Sequence, residues 1–280
     1  MVTKDQKRFF DEQGSLVVRS LFSPGEAASY RDHYMELRAK GAYPGDSAGV
    51  DIGSDDPIKR YPRMIHMHRW DRRSLEWFLD PRIAGTLSGL LDREAIATQT
   101  MIYFKPPKAR GQALHQDQFY LRVQPGTCIA AWMALDPCSE ENGCLRVVPG
   151  SHRWPLLCTI KADTSVSFTD VTVPIPDGTE VRSMVMEPGD VLFFNGQVVH
   201  GSGPNDSNER YRRALIGHYV AGDAQKIAQF FHPALRMDGS VVELGVSEGG
   251  GACGVWVDGK GKPVIEMVGA GAQGPGGPAR

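Results

Sequence analysis

Thr98-Gln99-Thr100-Met101-Ile102-Tyr103-Phe104 opens the part of the chain whose texture decides the fold. Short apolar runs recur after it at Cys128–Leu135, Cys144–Val148, Val166–Ile175, Val181–Met186, Val191–Phe194 and Arg213–Val220. Pro-Gly, Asn-Gly, Pro-Asp-Gly and Pro-Gly-Asp clusters separate several of them. Short apolar runs bounded by such residues read as strands, and many of them in succession predict an antiparallel barrel or jelly roll. Asn142-Gly143 is expected to form a tight hairpin turn. Gly143 and Gly150, which bracket Cys144–Val148, are explained by turns that need positive φ.

Upstream the pattern is helical. Residues 4–13 read as a short helix with Phe9 and Phe10 on its apolar side, stopped by Gly14. Ser15–Arg19 reads as a strand. Ser23-Pro24-Gly25-Glu26 is a capping box with Pro at the first helical position, opening a helix to about Lys40. Residues 41–62 lack periodicity and read as a long loop. Asp80-Pro81 opens another helix through Leu91. Downstream, Asp223–Phe231 is expected to be helical. Residues 246–280 form a Gly-rich extension with a hairpin around Val255–Val268 and a disordered last ten residues, leaving 1–245 as a single domain.

Composition excludes several function classes. With 41% hydrophobic and 23% charged residues the chain is an ordinary globular one, and a net charge of −2 offers no basic surface for nucleic acid. No apolar stretch is long enough to span a membrane. Cys128, Cys138, Cys144, Cys158 and Cys253 are an odd number without a CxxC pair, which argues against a disulfide or zinc framework and for a reducing, cytoplasmic setting.

The chemistry gathers at Leu114-His115-Gln116-Asp117 and Val199-His200-Gly201-Ser202. His115 and Asp117 flank one residue, so on an extended strand they point to one face. With His200 they make a two-histidine, one-carboxylate set, the donor mix that suits Fe(II) with open positions. His-x-Asp by itself is a weak motif. His66 and His68 are a rival pair, read instead as the polar wall of a cavity because no third ligand lies nearby.

Three stretches make the assignment specific: FKPPKARGQALHQDQFY (104–120), AAWMALDPCSEENGCLRVVPGSH (130–152) and EPGDVLFFNGQVVHGSGPNDSNERYRRALIGHY (187–219). With a weaker match at DEQGSLVVRSLFS (11–23), the chain resembles the phytanoyl-CoA dioxygenase family over roughly residues 5–220. The resemblance implies a double-stranded β-helix with flanking N-terminal helices. It also implies an Fe(II)-dependent enzyme that uses 2-oxoglutarate and O2 to hydroxylate or otherwise oxidise a small organic substrate, releasing succinate and CO2. It makes His115, Asp117 and His200 the iron ligands. The carboxylate at 117 favours hydroxylation, since halogenating relatives carry a small residue there.

The family's Arg-x-Ala pattern falls on Arg212-Arg213-Ala214 and gives Arg212 the far carboxylate of 2-oxoglutarate. Arg213 stays a competitor, because the spacing from His200 is one residue longer than expected. Ser202, Trp132 and Gln99 are further cofactor-site residues by the same resemblance, each with a plain structural alternative: a turn serine, a core tryptophan, a strand amide. Lys105, before Pro106-Pro107, reads as an exposed loop residue, and His152 and His218 as supporting residues. Tyr43, Tyr61, His66, His68 and Trp70 are expected to shape the substrate pocket. Two other readings of the barrel remain: a cupin-like metal-dependent hydrolase or isomerase, and a small-molecule-binding barrel without catalysis. A buried Arg one strand after the distal histidine separates the oxygenase from the hydrolase.

Overall fold

The computed structural model describes residues 2–46 and 49–269. The expected disorder of the last ten residues lies outside the described residues.

Helix α1 (Lys4–Gln13) is closed by a Thr3/Gln6 capping box at one end and by Gly14, at φ 76°, at the other. Strand β1 (Ser15–Val18) leads to α2 (Pro24–Ala39), which starts at the Ser23/Glu26 capping box. The expected loop that follows contains one turn of helix, α3 (Pro57–Arg60). β2 (Met64–Ile65) comes next, then α4 (Arg72–Phe78), α5 (Pro81–Leu91) and β3 (Ala95–Tyr103). Sequence periodicity misses α4, whose seven residues are too few to establish a pattern; the Asp71 side chain caps it by accepting from Ser74 N.

The barrel continues with β4 (Gln112–His115), α6 (Gln118–Leu121), β5 (Cys128–Ala134) and β6 (Leu145–Val147). Next are β7 (Ile160–Lys161), β8 (Val171–Thr172), β9 (Arg182–Ser183), β10 (Val191–Asn195), β11 (His200–Ser202) and β12 (Ala214–Ala221). The expected strand at 166–175 shrinks to β8. The expected helix at 223–231 is instead β13 (Lys226–Ile227) and a single 3-10 turn, because Ile227 and Phe231 are drawn into a core cluster with Leu121 and Val220. β14 (Ala234–Arg236), β15 (Val241–Val242) and β16 (Gly245–Val246) follow, and β17 (Cys253–Asp258) pairs antiparallel with β18 (Pro263–Val268) as a hairpin.

The large sheet runs β1-β10-β5-β12-β3-β14-β15, with β2 also on β3, and the small sheet runs β4-β11-β6-β9. Alternation along the strands sorts side chains to two faces. Ile129, Ala131, Met133, Phe193, Leu215 and Tyr219 face outward, under the helices that supply Tyr34, Trp77, Phe78, Ile83 and Leu87 and beside Phe22 of the bend before α2. Ala130, Trp132, Ala134, Phe194, Ala214 and Ile216 face inward, against Leu145 and Val147 of the small sheet. Asn142-Gly143 is a turn, with Gly143 at φ 72°, but not of a hairpin: it passes the chain from β5 in the large sheet to β6 in the small one.

Two cysteines depart from expectation. Cys158 and Cys253 form a disulfide, with Cα atoms 4.9 Å apart and a sequence separation of 95. No local spacing could reveal a pair that distant. The β17–β18 hairpin brings it together by packing Trp256 and Ile265 over Val148, Leu157 and Val199 on the outside of the small sheet. The pairing removes the argument from cysteine count to a reducing compartment. Among the described residues, no helix is long and apolar enough to cross a membrane.

Candidate metal and cofactor site

β4 ends on His115 and β11 opens on His200, and the antiparallel register sets these two directly opposite each other. Their ring centroids are 4.2 Å apart. The chain then leaves the strand and swings Asp117 beneath both rings. Asp117 Oδ1 is 3.4 Å from His115 Nε2 and 3.7 Å from His200 Nε2. Each Nδ1 lies 2.9 Å from a backbone carbonyl two residues upstream, Ala113 for His115 and Val198 for His200. A carbonyl only accepts, so both Nδ1 atoms carry the hydrogen and both Nε2 lone pairs turn inward. This is the tautomer a metal requires, fixed by the strands themselves.

The ligand atoms of the three residues lie within 4.8 Å of one another, and among the described residues no other His, Cys, Asp or Glu cluster has such geometry. Burial alone would raise the Asp117 carboxyl, but His200, His115 and His218 outweigh it and hold it well below the usual carboxylate range. Burial, then the neighbouring His115, pushes His200 down to about 4. Near neutral pH the cluster therefore presents a carboxylate and a neutral imidazole at His200. Nitrogen and oxygen donors without thiolate fit ferrous iron better than the sites that select copper(I) or structural zinc. The Gln112 amide also reaches His115 Nε2, at 3.2 Å, so a metal would compete with it for that lone pair.

The two arginines separate cleanly. Arg213 lies on the outer face and is bidentate to Asp136, at 2.7 and 2.8 Å. Arg212 turns into the barrel and is buried. Its Nε donates to Gly143 O at 3.0 Å, and its guanidinium carbon lies 5.3 Å from the Trp132 ring centroid. Its Nη1 is buried without a hydrogen-bond partner among the described residues. Trp132 sits inward between Ala130 and Ala134, the small neighbours that leave room for a large ring. Gln99 is buried and pairs across β3 and β12 with His218.

Residues 10–214 match the model of the phytanoyl-CoA dioxygenase (PhyH) family. This chain belongs to the phytanoyl-CoA dioxygenase family. Among its relatives is the peroxisomal phytanoyl-CoA dioxygenase of Rattus norvegicus, 27% identical over 242 residues, covering 81% of this chain and 71% of the relative. The phytanoyl-CoA dioxygenase of Arabidopsis thaliana is 27% identical over 263 residues, covering 81% and 92%. Among solved structures, EvdO2 of Micromonospora carbonacea var. aurantiaca complexed with 2-oxoglutarate superposes with a TM-score of 0.64 at 22% identity, covering 79% of this chain and 92% of that one. EctD of S. alaskensis with bound Fe gives 0.62 at 22% identity, covering 79% and 77%. At these identities the superpositions establish the shared fold: a mainly β double-stranded β-helix.

Within this member of the phytanoyl-CoA dioxygenase family, Lys105 corrects the sequence reading. It is buried, with its ammonium facing Ser202 Oγ at 2.8 Å, Gly143 O at 3.2 Å and, closer still, Gly203 O. The reason is that β3 ends at Tyr103 and the Lys105 backbone is tied to the loop before β12: its carbonyl accepts from Arg212 N and from the Asn205 side chain. Pro106-Pro107 thus follows a pinned lysine rather than a free one.

Among the described residues, His66 and His68 join no metal cluster. His68 Nδ1 meets Thr100 Oγ1 at 2.9 Å, and His66 packs on Phe230 with centroids 4.8 Å apart. Burial, then the charge of Arg69, pushes both down to about 3, so both are neutral. Gln116, between the ligands, escaped notice in the sequence. It is fully buried, accepts from Leu157 N at 2.8 Å and donates to Gln197 O at 2.9 Å, fastening the ends of β4 and β11 together. A buried amide flanked by two ligand candidates was the available signal. His152 lies far from the cluster, against Asp11 O.

Proposed function

We propose that this protein is an Fe(II)- and 2-oxoglutarate-dependent dioxygenase that hydroxylates, or otherwise oxidises, a small organic substrate with release of succinate and CO2. His115, Asp117 and His200 are its iron ligands. Arg212, with Ser202 and Trp132, takes the far carboxylate of 2-oxoglutarate, and Gln99 lines the same inward face. One observation carries the reading: three convergent ligand atoms with both imidazoles locked in the metal-binding tautomer, in the same barrel as a buried arginine that has no acid partner among the described residues. Family membership, and similar structures described with iron or with 2-oxoglutarate and 5-hydroxyectoine, support the cofactor pair and a small-molecule substrate.

Bound iron and 2-oxoglutarate would supply the oxidising power, through oxidative decarboxylation of the keto acid by O2. The chain's own residues set position. The Ala113 and Val198 carbonyls aim the imidazoles, Arg212 offers a planar two-donor face to a carboxylate, and Trp132 closes the wall behind it. Residues 41–75 are proposed to shape the substrate pocket, through Tyr43 stacked on Trp70, ring centroids 5.4 Å apart, and Tyr61 against Tyr211, although Tyr43, Trp70 and Tyr61 also pack on the helix-covered side of the large sheet.

The test is spectroscopic. Adding Fe(II) and 2-oxoglutarate without O2 should give a weak visible charge-transfer band, and admitting O2 with substrate should release succinate. A flat spectrum from folded, iron-loaded protein overturns the reading. Trp70→Ala should impair substrate turnover while leaving 2-oxoglutarate binding intact; unchanged turnover removes that residue from the pocket.

A further inference from the structure

Lys105 and Arg212 are two buried basic side chains that share one acceptor; burial, then the charge of Arg212, pushes the Lys105 amine well below its ordinary range, a cost that an anion beside the pair would offset. Gly143 O takes a hydrogen bond from Lys105 Nζ at 3.2 Å and from Arg212 Nε at 3.0 Å. Among the described residues neither cation has an acid partner, whereas neighbouring Arg213 has Asp136. The Arg146 guanidinium adds a third charge, packed so closely on Gly203 that a Cβ there would come within 2.8 Å of Nη2. Burying uncompensated charge is costly, and the natural compensation is an anion.

Ser202 shows where that anion is met. A hydroxyl has two acceptor lone pairs and one hydrogen to donate. Both lone pairs of Ser202 Oγ are occupied, by Lys105 Nζ at 2.8 Å and by Gln112 N at 3.3 Å. Its hydrogen is left to donate, and Arg212 Nη1 is likewise a donor without a partner. Ser202 stands two residues beyond His200 on β11, about 6.5 Å along the strand. That separation matches the span between the two ends of a five-carbon dicarboxylate.

We infer that Lys105 is a positioning residue for the co-substrate: by occupying a lone pair of Ser202 it makes that hydroxyl an obligate donor to the far carboxylate, beside Arg212. The inference rests on the function proposed above and extends it to the selection of a carboxylate over a neutral amide or alcohol at that end. Lys105 does not touch the ligand itself, since its three hydrogens go to Ser202, Gly143 and Gly203.

The test is calorimetric titration of 2-oxoglutarate, and of its analogue with an amide at the far end, into the Mn(II)-loaded protein. Wild type should prefer the dicarboxylate at least tenfold. Lys105→Met and Ser202→Ala should each weaken 2-oxoglutarate binding about tenfold and shrink that preference. The double variant should be little weaker than either single one, because both break the same chain of hydrogen bonds. Lys105→Gln, which can still donate to Ser202, should bind within about threefold of wild type and also serves if the Met variant does not fold. In turnover, the KM for 2-oxoglutarate should rise in Lys105→Met with kcat nearly unchanged. Wild-type affinity in a folded Lys105→Met, multiplicative losses in the double variant, or loss in Lys105→Gln as large as in Ser202→Ala overturns the inference. A wild-type protein that binds no 2-oxoglutarate overturns the proposed function instead.

Discussion

His218 Nε2 lies 3.2 Å from Asp117 Oδ2, the carboxylate oxygen turned away from the two imidazoles. Oδ1 is the one that faces His115 and His200. Because a carboxylate only accepts, His218 must carry its hydrogen on Nε2, and the contact pins the plane of Asp117 with one oxygen free for a metal. β12 holds the ring there: His218 pairs with Ala130 of β5 and Gln99 of β3, beside the bulge between His218 and Tyr219. His218→Ala should therefore lower Fe(II) affinity about tenfold to a hundredfold with the fold retained. Competition against a chromogenic chelator measures it, and unchanged affinity would assign the histidine to packing alone.

The two adjacent arginines should fail in different ways. Arg212→Met should weaken 2-oxoglutarate binding by an order of magnitude or more and leave the melting temperature close to wild type or above it, since it removes a buried charge that has no acid partner among the described residues. Arg213→Met takes from the buried Asp136 its two guanidinium hydrogen bonds, leaving only the one from the backbone N of residue 213, and should cost about 3–5 kcal/mol of stability. Denaturant unfolding and ligand titration of the two variants separate these outcomes. A destabilised Arg212→Met with intact co-substrate affinity would contradict the assignment.

Acid should unfold the metal-free protein early. His66 and His68 are pushed by burial to about 3 and His200 to about 4, from an ordinary 6.5. Between those values the unfolded chain binds protons that the folded one refuses, so stability rises with pH there and is lost as pH falls below about 6.5. Each such histidine adds a slope of up to about 1.4 kcal/mol per pH unit. Urea midpoints between pH 7 and pH 5 should fall steeply, and replacing His68 by Gln should flatten the dependence.

The disulfide should matter to stability and to the ligand strands. Cys158 and Cys253 close a loop of 95 residues, and such cross-links contribute about 2–4 kcal/mol. Leu157, next to Cys158, donates its N–H to Gln116, which sits between two proposed ligands. Cys253→Ser, or treatment with dithiothreitol, should lower the melting temperature and expose the β17–β18 hairpin to proteolysis before the barrel. An unchanged melting temperature under reducing conditions would show that the hairpin holds by apolar packing alone.

Much of this protein was legible in its sequence because local chemistry was enough. The Thr3 and Ser23 caps, the Gly14 stop, and the alternation along β5, β10 and β12 each depend on neighbours a few residues away. The His-x-Asp spacing marked the converging pair, but not by strand alternation: β4 ends at His115, and Asp117 reaches the same side from the αR turn that opens α6. Arg212 and Arg213 could be set on opposite faces from strand period alone.

The rest depended on contacts between distant segments, which local pattern does not encode. The order of the sheets set His115 against His200 across β4 and β11, and only that register brings the three ligand candidates together. Tertiary packing alone decided that Arg213 belongs to Asp136, that Lys105 is buried against Ser202 rather than exposed in a loop, and that Cys158 meets Cys253. In each case the partner lies at least 77 residues away along the chain. The sequence thus determined which groups were present and which face of a strand they occupied. The folded barrel determined which of them met, because hydrogen bonds and charge depend on distance in space.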